Sequence, residues 1–294
     1  MKKLLITGAG GFIGKNLAEI FAPAYSVSAP LRAELDFCDD KAVREYFAAR
    51  HFDAVIHCAI KPGHRNAKDP SGQLYANTRM FFNLVSQEAH FGKLIFISSG
   101  MVYDKRRYKP KMAEDFFGSS VPEDEGGLSK YVLAKHIADS RNMIELRPFG
   151  VYGKYEDCAI RFISNAICRT LAGLPITMRQ NRRFDYVSIE DLAAVVAHFI
   201  EHEPKFRAYN VAPDKAIELA ELAELVRSIS GAKLPVDVAE PGLGVEYSGD
   251  NSRLKAEMPG FKFTPIEDGV RRLYEWYKAN PDRINVNALL LDKR

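Results

Sequence analysis

A tyrosine and a lysine stand four residues apart, Tyr131 and Lys135, in the segment LSKYVLAKHIAD at 128–139. On a helix, positions i and i+4 share one face, so the phenol and the ammonium would be neighbours. A free phenol titrates near about 10 and moves protons sluggishly at neutral pH; a neighbouring ammonium favours the phenolate and speeds the transfer. The same spacing also occurs in ordinary amphipathic helices, so the rest of the chain must decide. Ser99 lies just beyond an apolar run, KLIFIS at 93–98, where its hydroxyl could hydrogen-bond a substrate oxygen beside the phenol.

A second cluster suggests what would react there. Gly8, Gly11 and Gly14 form T-G-x-x-G-x-x-G between an apolar run, KLLIT at 3–7, and apolar residues at helical spacing, Ile13, Leu17, Ile20 and Phe21. Glycine permits turn angles closed to other residues and lets backbone approach a phosphate. The helix N-terminus beyond, at Phe12 and Ile13, offers free N–H groups and positive potential to a pyrophosphate. The context is that of a dinucleotide-binding turn. An acid at the end of the second strand would hold a ribose 2′-hydroxyl, whereas an arginine suits a 2′-phosphate. Here Ala29 and Pro30 occupy the acidic position and Arg32 follows, favouring NADP, with NAD as second choice. Asp36 and Phe37 are expected at the adenine ring.

These groups need elements to carry them. YSVSA (25–29), DAVIHCA (53–59), KLIFIS and NMIELRP (142–148) read as further strands. Helices are expected after the glycines, at DDKAVREYFAAR (with a capping Asp), at 73–89 and around Tyr131. Strands alternating with helices predict a doubly wound parallel sheet, and uniformly apolar strands suit burial on both faces. The fold class is therefore α/β, a Rossmann sheet over about residues 1–150, with a smaller α/β substrate lobe over 151–294, some of whose segments return to the sheet. The lobe should hold helices ending at Gly173, at ELAELAELVRSIS and at IEDGVRRLYEWYKAN, with a Pro/Gly-rich irregular stretch at 235–265.

The chain has 294 residues, enough for such an arrangement, and its net charge of +3 demands neither a nucleic-acid nor a membrane partner. No stretch approaches the ~20 apolar residues of a spanning helix. The four cysteines form no CxxC pair and read as reduced thiols in a cytoplasmic protein; no metal site is expected.

TGAGGFIG, DAVIHCA, ANTRMFFNLV, FISSGMVY, Tyr131-x-x-x-Lys135, LRPFGVYG and RFDYVSIEDLA occur in the order of the extended short-chain dehydrogenase/reductase family, which the chain resembles over about residues 4–195. The resemblance implies catalytic Ser99, Tyr131 and Lys135, with Ser98 as the fallback serine and Asn77 supporting the active-site helix. It places Cys58 and Ala59 with the glycine loop, Arg32, Asp36, Phe37, Tyr131 and Lys135 at the cofactor. Ser99, Gly100, Met101 and Arg183 would meet the substrate, with Arg182 close behind Arg183. Members mostly act on nucleotide-diphosphate sugars, and pairing of the two long helices implies a homodimer.

Dehydratases of the family carry an Asp-Glu pair where this chain has Gly100 and Met101, which argues against dehydration. LRAELDFCDD and the long loop into the Tyr131 helix are similar to GDP-fucose synthase-like 4-keto reductases. Their epimerising cysteine and histidine fall at Met101 and near Arg161 here. The expectation is therefore NADPH-dependent reduction of the C4 keto group of a nucleotide-linked 4-keto-(6-deoxy) sugar. An NAD-dependent 4-epimerase is the alternative, and a non-catalytic dinucleotide-binding sensor represents another class. Three side features stay open. The basic run DKRRYKPK (104–111) could attract a diphosphate or simply be solvated; His57 reads as a packing residue; Cys158 could replace the missing cysteine.

Overall fold

The computed structural model describes residues 1–63, 67 and 69–291. In chain order its elements are β1 (Lys3–Thr7), α1 (Phe12–Phe21), β2 (Ser26–Ser28), α2 (Asp40–Phe47), β3 (Phe52–His57), α3 (Gln73–Val85), β4 (Phe91–Ile97), α4 (Glu125–Ala138) and β5 (Met143–Pro148). There follow β6 (Val151–Tyr152), α5 (Phe162–Leu171), β7 (Ile176–Asn181), β8 (Arg183–Phe184), β9 (Val187–Ser188), α6 (Ile189–Glu201), β10 (Ala208–Val211), β11 (Ile217–Glu218), α7 (Leu219–Ser230), β12 (Val236–Leu243), α8 (Ser252–Glu257), α9 (Ile266–Ala279) and α10 (Val286–Leu290).

The main sheet has six parallel strands in the order β10-β5-β4-β3-β1-β2. The chain leaves β1 first towards β2 and then returns to β3 on its other side. That reversal opens a crevice at the carboxyl ends of β1 and β3, where ligands of such sheets bind. Successive strand residues face opposite sides. Leu4, Ile6, Ala54, Ile56, Ile95 and Ile97 meet α1 and α6 on one face. Leu5, Val55, Leu94 and Phe96 meet α2, α3 and α4 on the other. A separate core joins α5, β7, α7 and α9 in the C-terminal lobe.

Local sequence explains many boundaries. Asp39 caps α2 by accepting from Ala42 N–H at 3.1 Å. Gly173 takes a left-handed φ of 70° just past α5. One expectation fails: the 235–265 stretch is not irregular throughout. It contains β12, paired in parallel with β7, and α8. β12 is mostly exposed, so it shows no apolar run, and its pairing with β7 rather than its composition makes it a strand.

Beneath the active-site edge, Glu145 and Arg147 share one face of β5 and are 1% and 2% exposed in their side chains. Arg147 donates Nε–H and Nη2–H to Glu145 Oε2 at 2.8 and 2.6 Å, and Nη1–H to the Tyr103 hydroxyl at 3.0 Å. Its guanidinium lies 4.7 Å from the centroid of the Phe117 ring. Removing one member of such a pair strands a buried charge. Arg147→Ala should cost about 3–5 kcal/mol in urea unfolding, whereas replacing both partners by apolar residues should cost clearly less.

Candidate active site

The glycine turn is shaped by close approach. Gly8 has φ 71°, and a Cβ there would lie 2.8 Å from Ala59 Cα. A Cβ on Gly14 would meet the Gly8 carbonyl carbon at 2.7 Å. Thr7 locks the turn to β3: its Oγ1 accepts N–H from Cys58 at 3.1 Å and from Ala59 at 3.0 Å. Both lone pairs are then used, so the hydroxyl hydrogen goes to His57 Nδ1, 2.8 Å away. His57 thus carries its proton on Nε2. Burial, with Lys130 nearby, lowers its pKa to about 3, and it remains a neutral packing residue. Burial also raises the Cys58 thiol.

Gly11 starts α1 with no side-chain cap, and no acidic residue occupies the first turn. The N–H groups of Phe12, Ile13 and Gly14 therefore have no intrahelical partners to meet. A narrow backbone cradle at an uncapped helix start fits a dinucleotide pyrophosphate. Arg32, with its side chain 84% exposed, sits beyond β2 and pairs with Asp36 at 3.2 Å. Asp36 Oδ1 also accepts from Cys38 N–H at 2.9 Å. Phe37 departs from expectation: it is 4% exposed and packs into the sheet core, so its ring is unavailable to an adenine.

Tyr131 and Lys135 share a face of α4, with the ammonium 5.5 Å from the phenol centroid. Phe117 packs against both, 4.9 Å from the Tyr131 ring and 5.2 Å from Lys135 Nζ. Asp124 caps α4 by accepting from Gly127 N–H at 2.8 Å. Asn77 on α3 steadies it: Nδ2 donates to Ser129 at 3.2 Å, while Oδ1 accepts from Lys61 N–H at 2.7 Å.

Ser99 follows β4 and caps the short turn 100–102, its Oγ accepting from Met101 N–H at 3.2 Å. That turn abuts the start of α4 because Gly126 and Gly127 lack side chains; a Cβ on Gly127 would lie 2.9 Å from Met101 O. Ser99 is partly open, whereas Ser98, 5% exposed, is sealed in. Gly100 is buried and Met101 is 41% exposed.

Arg183 is bound to Glu218 at 2.9 Å, and Arg179 to Glu240 at 2.7 Å. Half-buried Arg182 pairs with no carboxylate among the described residues, which makes it the freer cation of the three. Arg161, at the start of α5, stands near enough to Tyr247 and Tyr186 to act on their phenols. The basic run is largely compensated: Arg106 binds Asp104 and Glu123, Lys105 lies 3.7 Å from Asp124, and Lys111 lies 3.8 Å from Asp185. Cys158 is 8% exposed in the lobe core, away from any role as an accessible acid or base.

Sequence reasoning missed Phe117, Tyr108 and Tyr247. Only the Gly126–Gly127 pair signalled the close packing at the serine turn. Among the described residues, no group of three or more His, Cys, Asp or Glu could hold a metal, and no helix is long and apolar enough to cross a membrane.

A Rossmann sheet with a pyrophosphate cradle and a serine, tyrosine and lysine at its carboxyl edge defines a nicotinamide-dependent short-chain dehydrogenase/reductase. The profile of the NAD dependent epimerase/dehydratase family matches residues 4–212, and the chain belongs to that family; it is an enzyme of the extended type. It is 22% identical to the GDP-L-fucose synthase of Escherichia coli K12 over 316 residues, covering 96% of this chain and 98% of the relative. Its fold is similar to a Campylobacter jejuni GDP-mannoheptose C4 reductase with NADP bound (TM-score 0.80, 20% identity, 94% and 98% of the two chains). It is also similar to a UDP-glucose 4-epimerase from Thermotoga maritima (TM-score 0.81, 18% identity, 95% and 99%). These relatives are named for GDP- or UDP-linked sugars, and solved neighbours hold NADP or NAD.

Gly14→Ala should weaken NADPH binding at least about tenfold, because the added methyl pushes the turn open. Gly10→Ala should change it little: a Cβ there meets only Leu31 Cδ2, at 3.7 Å. Titration of NADPH fluorescence separates the two outcomes.

Proposed function

We propose that the enzyme reduces the C4 keto group of a nucleotide-linked 4-keto-(6-deoxy) sugar, with NADPH as reductant. The carrying observation is what stands at the two positions where epimerising relatives are expected to hold a cysteine and a histidine. Met101 has no proton to exchange, and Arg161 is a permanent cation. Neither can replace the cysteine and histidine that epimerising relatives are expected to use, which argues against epimerisation through such a pair and leaves carbonyl reduction by Ser99, Tyr131 and Lys135 intact.

Bound across the glycine cradle, nicotinamide would supply a hydride to the carbonyl carbon. The chain's own groups do the rest. Ser99 donates a hydrogen bond to the carbonyl oxygen and orients it. Tyr131 delivers the proton that converts this oxygen to a hydroxyl. The Lys135 ammonium stabilises the negative charge left on the phenol oxygen and is placed to hold the nicotinamide ribose. Arg182 is the better placed cation for the substrate diphosphate, since Arg183 is already engaged by Glu218. A 4-epimerase would use the same three residues with NAD; Arg32 beyond β2, where an acid would favour NAD, supports NADPH. Tyr75 and Phe82, 71% and 39% exposed on α3, suit a helix-paired homodimer.

Tyr131→Phe should lower kcat by about 10²–10⁴ while leaving NADPH affinity nearly unchanged, measured at 340 nm over a panel of nucleotide 4-keto sugars. Interconversion of two sugars without NADPH consumption would replace this reading with the epimerase. Arg32→Ala should weaken NADPH about ten- to a hundredfold and leave NADH nearly untouched. Equal effects on the two cofactors would remove Arg32 from the 2′-phosphate.

A further inference from the structure

We propose that Phe117 is a positioning residue for Lys135, its aromatic face holding the ammonium beside the Tyr131 phenol. Lys135 is exposed on α4 and pairs with no carboxylate among the described residues. A four-carbon side chain in that setting samples many rotamers, and an ammonium that wanders serves neither a phenol nor a ribose. What its charge meets is two rings: Phe117, with Nζ 5.2 Å from the centroid, and Tyr131, at 5.5 Å. Both distances lie within the reach of a cation–π attraction, about 6 Å. The two rings also touch one another, 4.9 Å apart between centroids and tilted by 43°. Phenol, ammonium and phenyl ring thus form a triangle, and Phe117 is the corner that the proposed proton transfer leaves unused.

Phe117 is itself held from several sides. The Arg147 guanidinium lies 4.7 Å from its centroid, and Glu145 already balances that charge. The ring packs against the small core that includes Val102 of the serine turn and Ala134 of α4. Its backbone N–H donates to Glu114 O at 3.1 Å. The buried Glu114 side chain accepts from Asn210 N–H at 2.7 Å, which ties the segment to β10. Gly118 follows at φ 90°, and a Cβ there would lie 3.4 Å from Lys135 Nζ. Glycine therefore serves twice, permitting the left-handed turn and letting backbone close in beside the ammonium.

A leucine at 117 would fill much of the same space but offers no ring quadrupole to a cation. Were packing the only role of Phe117, leucine would be tolerated in turnover. A ring that holds Lys135 makes leucine costly and makes a second aromatic residue an adequate substitute.

Two measurements test this. The kinetic one rests on the reductase reading. Phe117→Leu should lower kcat about three- to tenfold with the KM of the sugar nearly unchanged, and Phe117→Tyr should keep turnover near that of the wild type. No loss with leucine, equal losses in the two variants, or a change confined to KM would overturn the proposal. The second needs no substrate. Lysine isotopically labelled at its ε carbon is incorporated, and the Lys135 ε-methylene signal is followed by NMR, assigned by its disappearance in Lys135→Arg. Hydrogens over an aromatic face are shifted upfield, so this signal should stand apart from those of free lysines. Phe117→Leu should move it downfield and Phe117→Tyr should not, while the signal of distant Lys278 stays in place. A wild-type Lys135 signal at the ordinary lysine position, or one that leucine leaves unmoved, refutes the contact. If the wild-type enzyme reduces no sugar while the signal responds, the reductase reading fails and the hold on Lys135 stands.

Discussion

One hydroxyl group holds the active-site edge together. Thr7 Oγ1 takes N–H groups from Cys58 and Ala59 and gives its hydrogen to His57 Nδ1. This joins the carboxyl ends of β1 and β3 at the point where strand order reverses. The glycine turn then has only one narrow path, between Ala59 on one side and the start of α1 on the other. Tyr131, Lys135 and Ser99 gain their meaning from that placement. A phenol beside an ammonium is unremarkable on a surface helix; at the rim of a pyrophosphate cradle it stands where the proposed reduction needs its acid.

Electrostatics and packing reinforce the same edge from below. The Glu145–Arg147 pair is buried under it, and Phe117 lies against Arg147, Tyr131 and Lys135. A buried ion pair contributes little net stability compared with apolar packing, so its value here is geometric: it fixes Phe117, on which the Tyr131 ring rests. On the substrate side, burial favours neutral hydroxyls, while the freer cations are Arg161 and Arg182.

The parallel sheet, the glycine turn and the Tyr131–Lys135 face were legible in the sequence because each is set by short-range rules. Continuous apolar runs and helical apolar spacing mark the elements, and glycine spacing marks the close approach. Phe37 was misread because its neighbours in sequence lie at the cofactor edge while its own ring turns inward. Arg183 could not be distinguished from Arg182 until Glu218, 35 residues on, was seen to engage it. β12 was hidden for a similar reason: an exposed strand depends on its partner for identity.

By itself, the amino-acid sequence determined which residues could do chemistry and the order in which the sheet's layers alternate. Local backbone preferences and side-chain period suffice for both. Only the tertiary structure decided which groups are free to act. It sealed Ser98 and left Ser99 open, engaged Arg183 and spared Arg182, and brought the Tyr247 hydroxyl against Gly100 in the serine turn. Burial and partner choice are properties of contacts distant along the chain, and no local pattern encodes them.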